Sequence, residues 1–244
     1  MNYLYLLVNF FTISIPLLYS FHPRIRFHKF WPAFFVGAVL VAVPYLIWDS
    51  LFTAQGIWGF NERYLSGLYL WNLPLEEVLF FICIPFSCVF TYFCLEKFFA
   101  LHWDPRWERV FSLIFSLALI LVGIIFWEKS YTSLTFVSLG ILCLLLKFVL
   151  KIDWFGKAVV VYGILLLPFL IVNGILTGTG LEEPVVWYDT SEIIGIRILS
   201  IPVEDAFYGF GLILLNIYFF KLFVRVFRIV DLEGEPARVA GKVQ

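Results

Sequence analysis

The chain has 244 residues, of which 62% are hydrophobic, 20% aromatic and only 14% charged, with a formal net charge of −1. No soluble domain of this length needs so apolar a composition, so the class is a polytopic α-helical membrane protein. The near-neutral balance offers nothing to nucleic acid or to a strongly acidic partner.

The reactive side chains exclude several further classes. Cys83, Cys88, Cys94 and Cys143 all fall inside apolar runs and read as small buried hydrophobes, neither disulfides nor metal ligands. His22, His28 and His102 lie in basic loops without ligand spacing, so no metal is expected. There is no P-loop and no glycine-rich strand–helix turn for a dinucleotide, so the reading assigns no cofactor.

In chain order, seven apolar runs are predicted to span the membrane: 3–20, 30–52, 74–97, 110–127, 131–149, 157–176 and 200–221. Each approaches the roughly 20 residues that a helix needs to cross the hydrocarbon core. The first has no basic region before it and a basic one after it, the wrong order for a cleaved signal peptide. Loop charges test the count. One set of connections carries Arg24, Arg26 and Lys29; then Lys97, Arg106 and Arg109; then Lys147, Lys151 and Lys157; and the tail carries Lys221, Arg225, Arg228, Arg238 and Lys242. The other connections carry only Arg63, Lys129 and Arg197. The positive-inside rule then puts the amino terminus outside and the carboxyl terminus in the cytoplasm. The outer loops, 53–73 and 177–199, hold Trp58, Phe60, Tyr64, Tyr69, Trp71, Trp187 and Tyr188, which fit an interfacial aromatic belt. Glu96 and Glu128 sit at span ends beside Lys97 and Lys129, and interfacial pairing accounts for them.

The chain repeats itself. Leu73-Pro74-Leu75-Glu76-Glu77 and Ile201-Pro202-Val203-Glu204-Asp205 both read apolar-Pro-apolar-acid-acid at the head of a long apolar run, 128 residues apart. Upstream, the stretch from Pro44 to Asp49 pairs with that from Pro168 to Asn173 at an offset of 124, and Trp58 has a loose partner in Trp187 if the second outer loop carries about five extra residues. Spans one to three thus match spans five to seven. The expected division is a first repeat over 1–99, a linker span within 100–129, a second repeat over 130–228 and a cytoplasmic tail over 229–244. Three spans plus one linker make an even number of crossings, so the two three-helix repeats are parallel and both acid pairs lie at one depth.

Proline at the first helical position and acids in the first turn are ordinary helix-start chemistry, which alone would explain one copy. Recurrence weakens that reading, and Asp49 and Asn173 add polar groups at the same depth. A carboxylate inside a membrane costs roughly 2.5–3.5 kcal/mol on the insertion scale and usually faces a bundle interior. Adjacent helical residues point about 100° apart, so one acid of each pair can face inward while the other bonds loop amides or its neighbour. Carboxyls gathered in an apolar pocket cannot all ionise, and a neutral acid beside an ionised one is a general acid beside a general base. The aromatic residues that follow (Phe80, Phe81, Phe86, Phe90, Phe207, Tyr208 and Phe210) are packing residues in the main, although a ring face can also stabilise a cation. The chemistry that suits this set is protonation of a carbon–carbon double bond in a long hydrocarbon, ring closure and loss of a proton.

At these residues a family is recognisable. Trp48–Asp49, the stretch Gly56 to Asn61 and the stretch Asn72 to Glu77 resemble, in order and spacing, the integral-membrane lycopene β-cyclases, and the chain looks like the form in which two small subunits are fused. The second half carries the resemblance through Pro168, Asn173 and the stretch Ile201 to Asp205. The resemblance implies redox-neutral conversion of lycopene through γ-carotene to β-carotene without flavin. It maps the Pro-x-Glu-(Glu/Asp) motif onto Pro74, Glu76 and Glu77 and onto Pro202, Glu204 and Asp205. The four acids become the catalytic candidates, with Asp49, Asn61 and Asn173 as supporting polar groups. Lycopene or a related acyclic carotenoid, the bilayer, other carotenoid-pathway enzymes and a second copy of the chain are the candidate partners. Three rivals stay open. A rhodopsin needs a lysine inside the last span, where only Lys221 at its edge is found. A transporter would use the carboxyls as a relay, and a related carotenoid-binding protein would bind without turnover.

Overall fold

The computed structural model of the protein describes residues 3–101 and 103–229, so His102 and nearly all of the expected tail, 229–244, lie outside the described residues. In lipid every backbone group must be satisfied within its own element, and the apolar runs accordingly fold as helices. Among the described residues there are seven: α1 (Leu4–Tyr19), α2 (Trp31–Gln55), α3 (Leu75–Phe98), α4 (Pro105–Ile125), α5 (Ser130–Leu144), α6 (Phe155–Leu176) and α7 (Val203–Val226). A single π-type turn, Leu145–Val149, extends α5. Six of these segments are long and apolar enough to cross a membrane. With 16 residues, α1 is about 24 Å long, short of a core of about 30 Å, and it packs along α3.

The predicted ends move where capping chemistry outranks hydropathy. Helix α4 starts at Pro105 rather than 110, because the Asp104 carboxylate accepts the Arg106 and Trp107 amides at 2.8 and 3.4 Å, with proline at the first position. Helices α2 and α7 run past their predicted ends at 52 and 221 to Gln55 and Val226.

Six short strands fold over one end of the bundle. β1 (Trp58–Phe60) pairs antiparallel with β4 (Val186–Tyr188), with Gly59 opposite Trp187. β2 (Tyr69–Leu70) and β3 (Leu73–Pro74) form a tight hairpin, and so do β5 (Arg197–Ile198) and β6 (Ile201–Pro202). Each hairpin turns on a non-glycine residue at positive φ, Trp71 at 56° and Leu199 at 57°. Each then delivers its proline, extended at ψ 147° and 139°, directly into α3 or α7. The elements β1, β2, β3 and α3 recur as β4, β5, β6 and α7 at a constant offset of 128 residues. Helix α2 recurs as α6 at 124. The four-residue difference falls in the 177–185 segment, so Trp58 takes the place of Val186, and Gly59 that of Trp187.

The halves are packed unequally. Helix α2 lies tight on α7, where a Cβ on Gly37 would come within 3.0 Å of Phe219 and one on Gly211 within 3.1 Å of the Tyr45 hydroxyl. The equivalent pair, α6 and α3, is more loosely joined. Helices α4 and α5 form an antiparallel hairpin with a small-residue seam: a Cβ on Gly140 would lie 2.8 Å from the Ser116 carbonyl, and one on Gly123 3.0 Å from that of Ser133. At the end of the bundle away from the strands, Glu96 binds Lys221 and Lys157 at 2.7 and 3.3 Å, and Glu108 binds Lys147 at 2.5 Å. The ion pairs of Glu96 with Lys157 and Lys221 join α3 to α6 and α7.

The aromatic residues of the 53–73 and 177–199 loops divide. Trp71 and Tyr69 are exposed, as an interfacial belt requires, whereas Trp58 and Tyr64 are buried. The belt reading fails for Trp58 because its indole N–H is bonded to a buried carboxylate.

Candidate functional site: a carboxyl cluster at the head of an apolar groove

Each acid pair divides, as two adjacent residues about 100° apart on a helix must. Glu76 is fully buried, and its Oε1 accepts the Ser66 amide at 2.6 Å, while its own carbonyl accepts the Asn9 amide group at 2.7 Å. Glu204 is likewise buried, and its Oε1 accepts the Ile194 amide at 2.7 Å and the Thr132 hydroxyl at 2.6 Å. In both halves the amide bound lies ten residues before the acid. These two acids tie the loops that precede α3 and α7 to the heads of those helices.

Glu77 and Asp205 turn the other way, into a cavity of about 330 Å³. Tyr5 Oη donates to Glu77 Oε2 at 2.5 Å, and Tyr131 Oη donates to Asp205 Oδ1 at 2.7 Å, so the first helix of each half supplies a phenol to the acid of its third. Asp49 joins them: Trp58 Nε1 donates to its Oδ1 at 2.5 Å, while its buried Oδ2 has no protein partner. Asn173, which stands where the first half has Asp49, donates to Asp205 Oδ2 at 2.7 Å, and Tyr188 Oη donates to the same oxygen at 3.0 Å. Burial, reinforced by the Asp205 charge, holds the Tyr188 phenol well above its ordinary range, so it stays a donor.

The halves thus differ in chemistry while matching in frame. The first presents two carboxyls, Asp49 and Glu77, with one donor each; the second presents one carboxyl, Asp205, with three donors. The residue equivalent to Tyr188 in the first half is Phe60, which has no hydroxyl to give. Aromatic rings wall this end of the cavity. Trp58 and Tyr131 meet edge to face at 5.0 Å, Tyr131 stacks on Tyr188 at 5.8 Å, and Tyr208 packs on Trp48 at 5.2 Å.

Of the predicted site residues, the structure brings Glu77, Asp205, Asp49 and Asn173 together around the cavity. Glu76 and Glu204 are one residue away and face the loops. Asn61 stands apart, its side chain accepting the Arg63 amide at 3.1 Å and donating to Glu183 at 2.9 Å on the surface. Pro74 and Pro202 immediately precede α3 and α7. Of the aromatic residues singled out after the motifs, Phe80 and Tyr208 line the cavity. Phe86, Phe90 and Phe210 lie in the main packing core. Sequence reasoning missed Tyr5, Tyr131 and Tyr188 as ligands of the acids. The available signal was a tyrosine in the first turns of both repeat-related helices, α1 and α5. Among the described residues, no three His, Cys, Asp or Glu side chains are grouped to hold a metal ion.

The protein is thus a helical, membrane-like bundle of two matching halves, with carboxyls from both gathered around one apolar cavity. The family model for lycopene cyclase matches residues 2–95 and 128–223, one stretch in each half, and the chain belongs to that family. A bifunctional lycopene cyclase/phytoene synthase of Neurospora crassa is 25% identical over 150 residues, covering 54% of this chain and 25% of that protein. Another of the same description, from Leptosphaeria maculans, is 33% identical over 60 residues, 25% of this chain and 10% of the other. The chain therefore spans about a quarter or less of the curated relatives it matches. No solved structure gives a significant match.

Proposed function

We propose that the protein is a lycopene β-cyclase that closes the ends of lycopene, through γ-carotene, to β-carotene. The observation that carries this reading is the convergence of Glu77, Asp49 and Asp205 on one apolar cavity walled by aromatic rings. Family membership and the lycopene cyclase activity for which the fungal relatives are named support the substrate class.

The reaction is an isomerisation and needs no oxidant. A carboxylic acid gives its proton to C2 of the terminal double bond, leaving a cation at C1. The electrons of the C5–C6 double bond form the C1–C6 bond and move the cation to C5. Loss of the C6 proton to a carboxylate places the new double bond in the ring. Asp205 suits the base: three donors on its two oxygens favour the ionised form. Glu77 and Asp49 suit the acid, because two carboxyls with one donor each in one apolar site are best served by sharing a proton. The faces of Trp58, Tyr131 and Tyr208 are available to the transient cation. Glu76 and Glu204 position the loops that carry these rings.

The proposed topology keeps the amino terminus and the carboxyl cluster on the outer side, with the basic connections in the cytoplasm. It treats α4 as the linker between repeats 1–99 and 130–228. Membranes containing the protein, supplied with lycopene in deuterated water, test the chemistry: each ring formed should carry one solvent deuterium. Cyclic product without deuterium would exclude protonation by an exchangeable acid.

A further inference from the structure

The cavity does not end at the carboxyls. On α3 its wall continues from Glu77 and Phe80 through Ile84, Ser87 and Cys88 to Thr91. From Glu77 to Thr91 the helix rises by about 21 Å. The hydroxyl of Ser87 is spent on the carbonyls of Cys83 in its own helix and of Thr12 in α1, both at 2.9 Å, and that of Thr91 on the Ser87 carbonyl at 2.8 Å, so the α3 wall is apolar in effect below the acid cluster. Phe11 and Ile15 of α1 and Pro168 of α6 line the same cavity while also being exposed on the outside of the bundle. The cavity therefore opens sideways, between α1 and α6, where lipid would be. The two helices carry Pro16 and Pro168 inside them at this mouth. In the related position of the other half, α2 is closed down on α7, so among the described residues that packing leaves no matching groove between them.

We infer that this groove admits one end of a linear polyene from the bilayer between α1 and α6, with the chain lying along α3 and its tip at the carboxyls, so that the two ends react in separate visits. Polar groups are gathered at one end of the groove, and a tip that must be protonated belongs there. A volume of about 330 Å³ lies at the low end of the range for sites that enclose a drug-sized ligand, so a long polyene cannot be enclosed whole. Its remainder stays in the mouth and the lipid. With one groove and one acid cluster, the second end reaches the acids only after the first has left. The monocyclic carotenoid is then a released product and a substrate in its own right. This inference rests on the cyclase reading for the chemistry at the tip, while the groove itself does not.

Two measurements test it and separate its failure from that of the proposed reaction. The first is binding: the protein is purified from lycopene-accumulating cells, and the pigment carried with it is measured. Ser87→Trp and Thr91→Trp, more than two helical turns from the acids, should each cut the total co-purified carotenoid, substrate and products together, at least tenfold, while Leu167→Trp, exposed on α6 outside the groove, should leave it unchanged. Equal carotenoid in all of these proteins would overturn the groove. Wild-type protein that binds lycopene in this pattern without cyclising it would retain the groove and refute the reaction. The second is a time course in membranes. Monocyclic product should appear first and pass through a maximum, and added γ-carotene should compete with lycopene. Bicyclic product forming without a lag, and undiluted by added unlabelled γ-carotene, would overturn separate visits.

Discussion

The oxygen of Glu76 that accepts the Ser66 amide survives in Glu76→Gln, and so does the acceptor that Glu204 offers to Ile194 and Thr132 in Glu204→Gln. What each substitution adds is a buried amide group without an acceptor, a cost of about 1–3 kcal/mol in stability. We expect both variants to unfold at lower temperature in detergent yet to convert lycopene within a few-fold of wild type per folded molecule. Loss of conversion by more than a hundredfold in either, with the protein folded, would place that acid in the chemistry. The sequence shows four acids as equals, because a motif records residue type and spacing but not the direction in which each side chain leaves the helix. The loop amides that claim two of them become visible only when the hairpins are folded. Asp49 is the converse case. Its place at the depth of the motifs was legible, but its standing beside Glu77 follows from the strand that brings Trp58 over it.

At the scale of elements, the seven helices were readable because an apolar run of the right length has few alternatives in lipid. Their ends were less so, since Asp104–Pro105 starts α4 by capping and not by hydropathy. The strands over the site were not legible at all. Two- and three-residue strands leave no periodic signature, and loop aromatics read equally well as an interfacial belt. The close helix approach depends on glycines that look unremarkable in an apolar run. In Gly140→Leu the new side chain would drive into the Ser116 carbonyl and Ile120 across the α4–α5 seam. Overpacking of this kind costs about 1–3 kcal/mol, and the variant should lose several degrees of thermal stability. An unchanged melting temperature would show that the seam is looser than the structure has it.

Across the whole molecule, a single constant offset of 128 residues relates four elements in each half, and two differences between the halves set their polar groups apart. Asp49 faces Asn173 across the repeat, and Phe60 faces Tyr188, so one half holds the extra carboxyl and the other the extra donors. A duplicated frame brings Glu77 and Asp205 to equivalent places, and divergence gives them unlike partners, which is what the proposed acid and base require. The proposed orientation is open to a direct check. In intact cells, a membrane-impermeant thiol reagent should label Trp71→Cys, at the exposed tip of the first hairpin, and spare Lys151→Cys in the connection before α6. Labelling of Lys151→Cys alone would invert the topology.

The central claim is that carboxyls from both halves together close a ring on an acyclic carotenoid. It is tested most directly by chromatographing the pigments of lycopene-accumulating bacteria that express wild-type protein, Glu77→Gln or Asp205→Asn at equal levels in the membrane. The account predicts γ-carotene and β-carotene with the wild type. It predicts a fall of about a hundredfold or more with either variant, in keeping with the loss of a general acid or base. Lycopene left unchanged by folded wild-type protein, or full conversion by either variant, would contradict it.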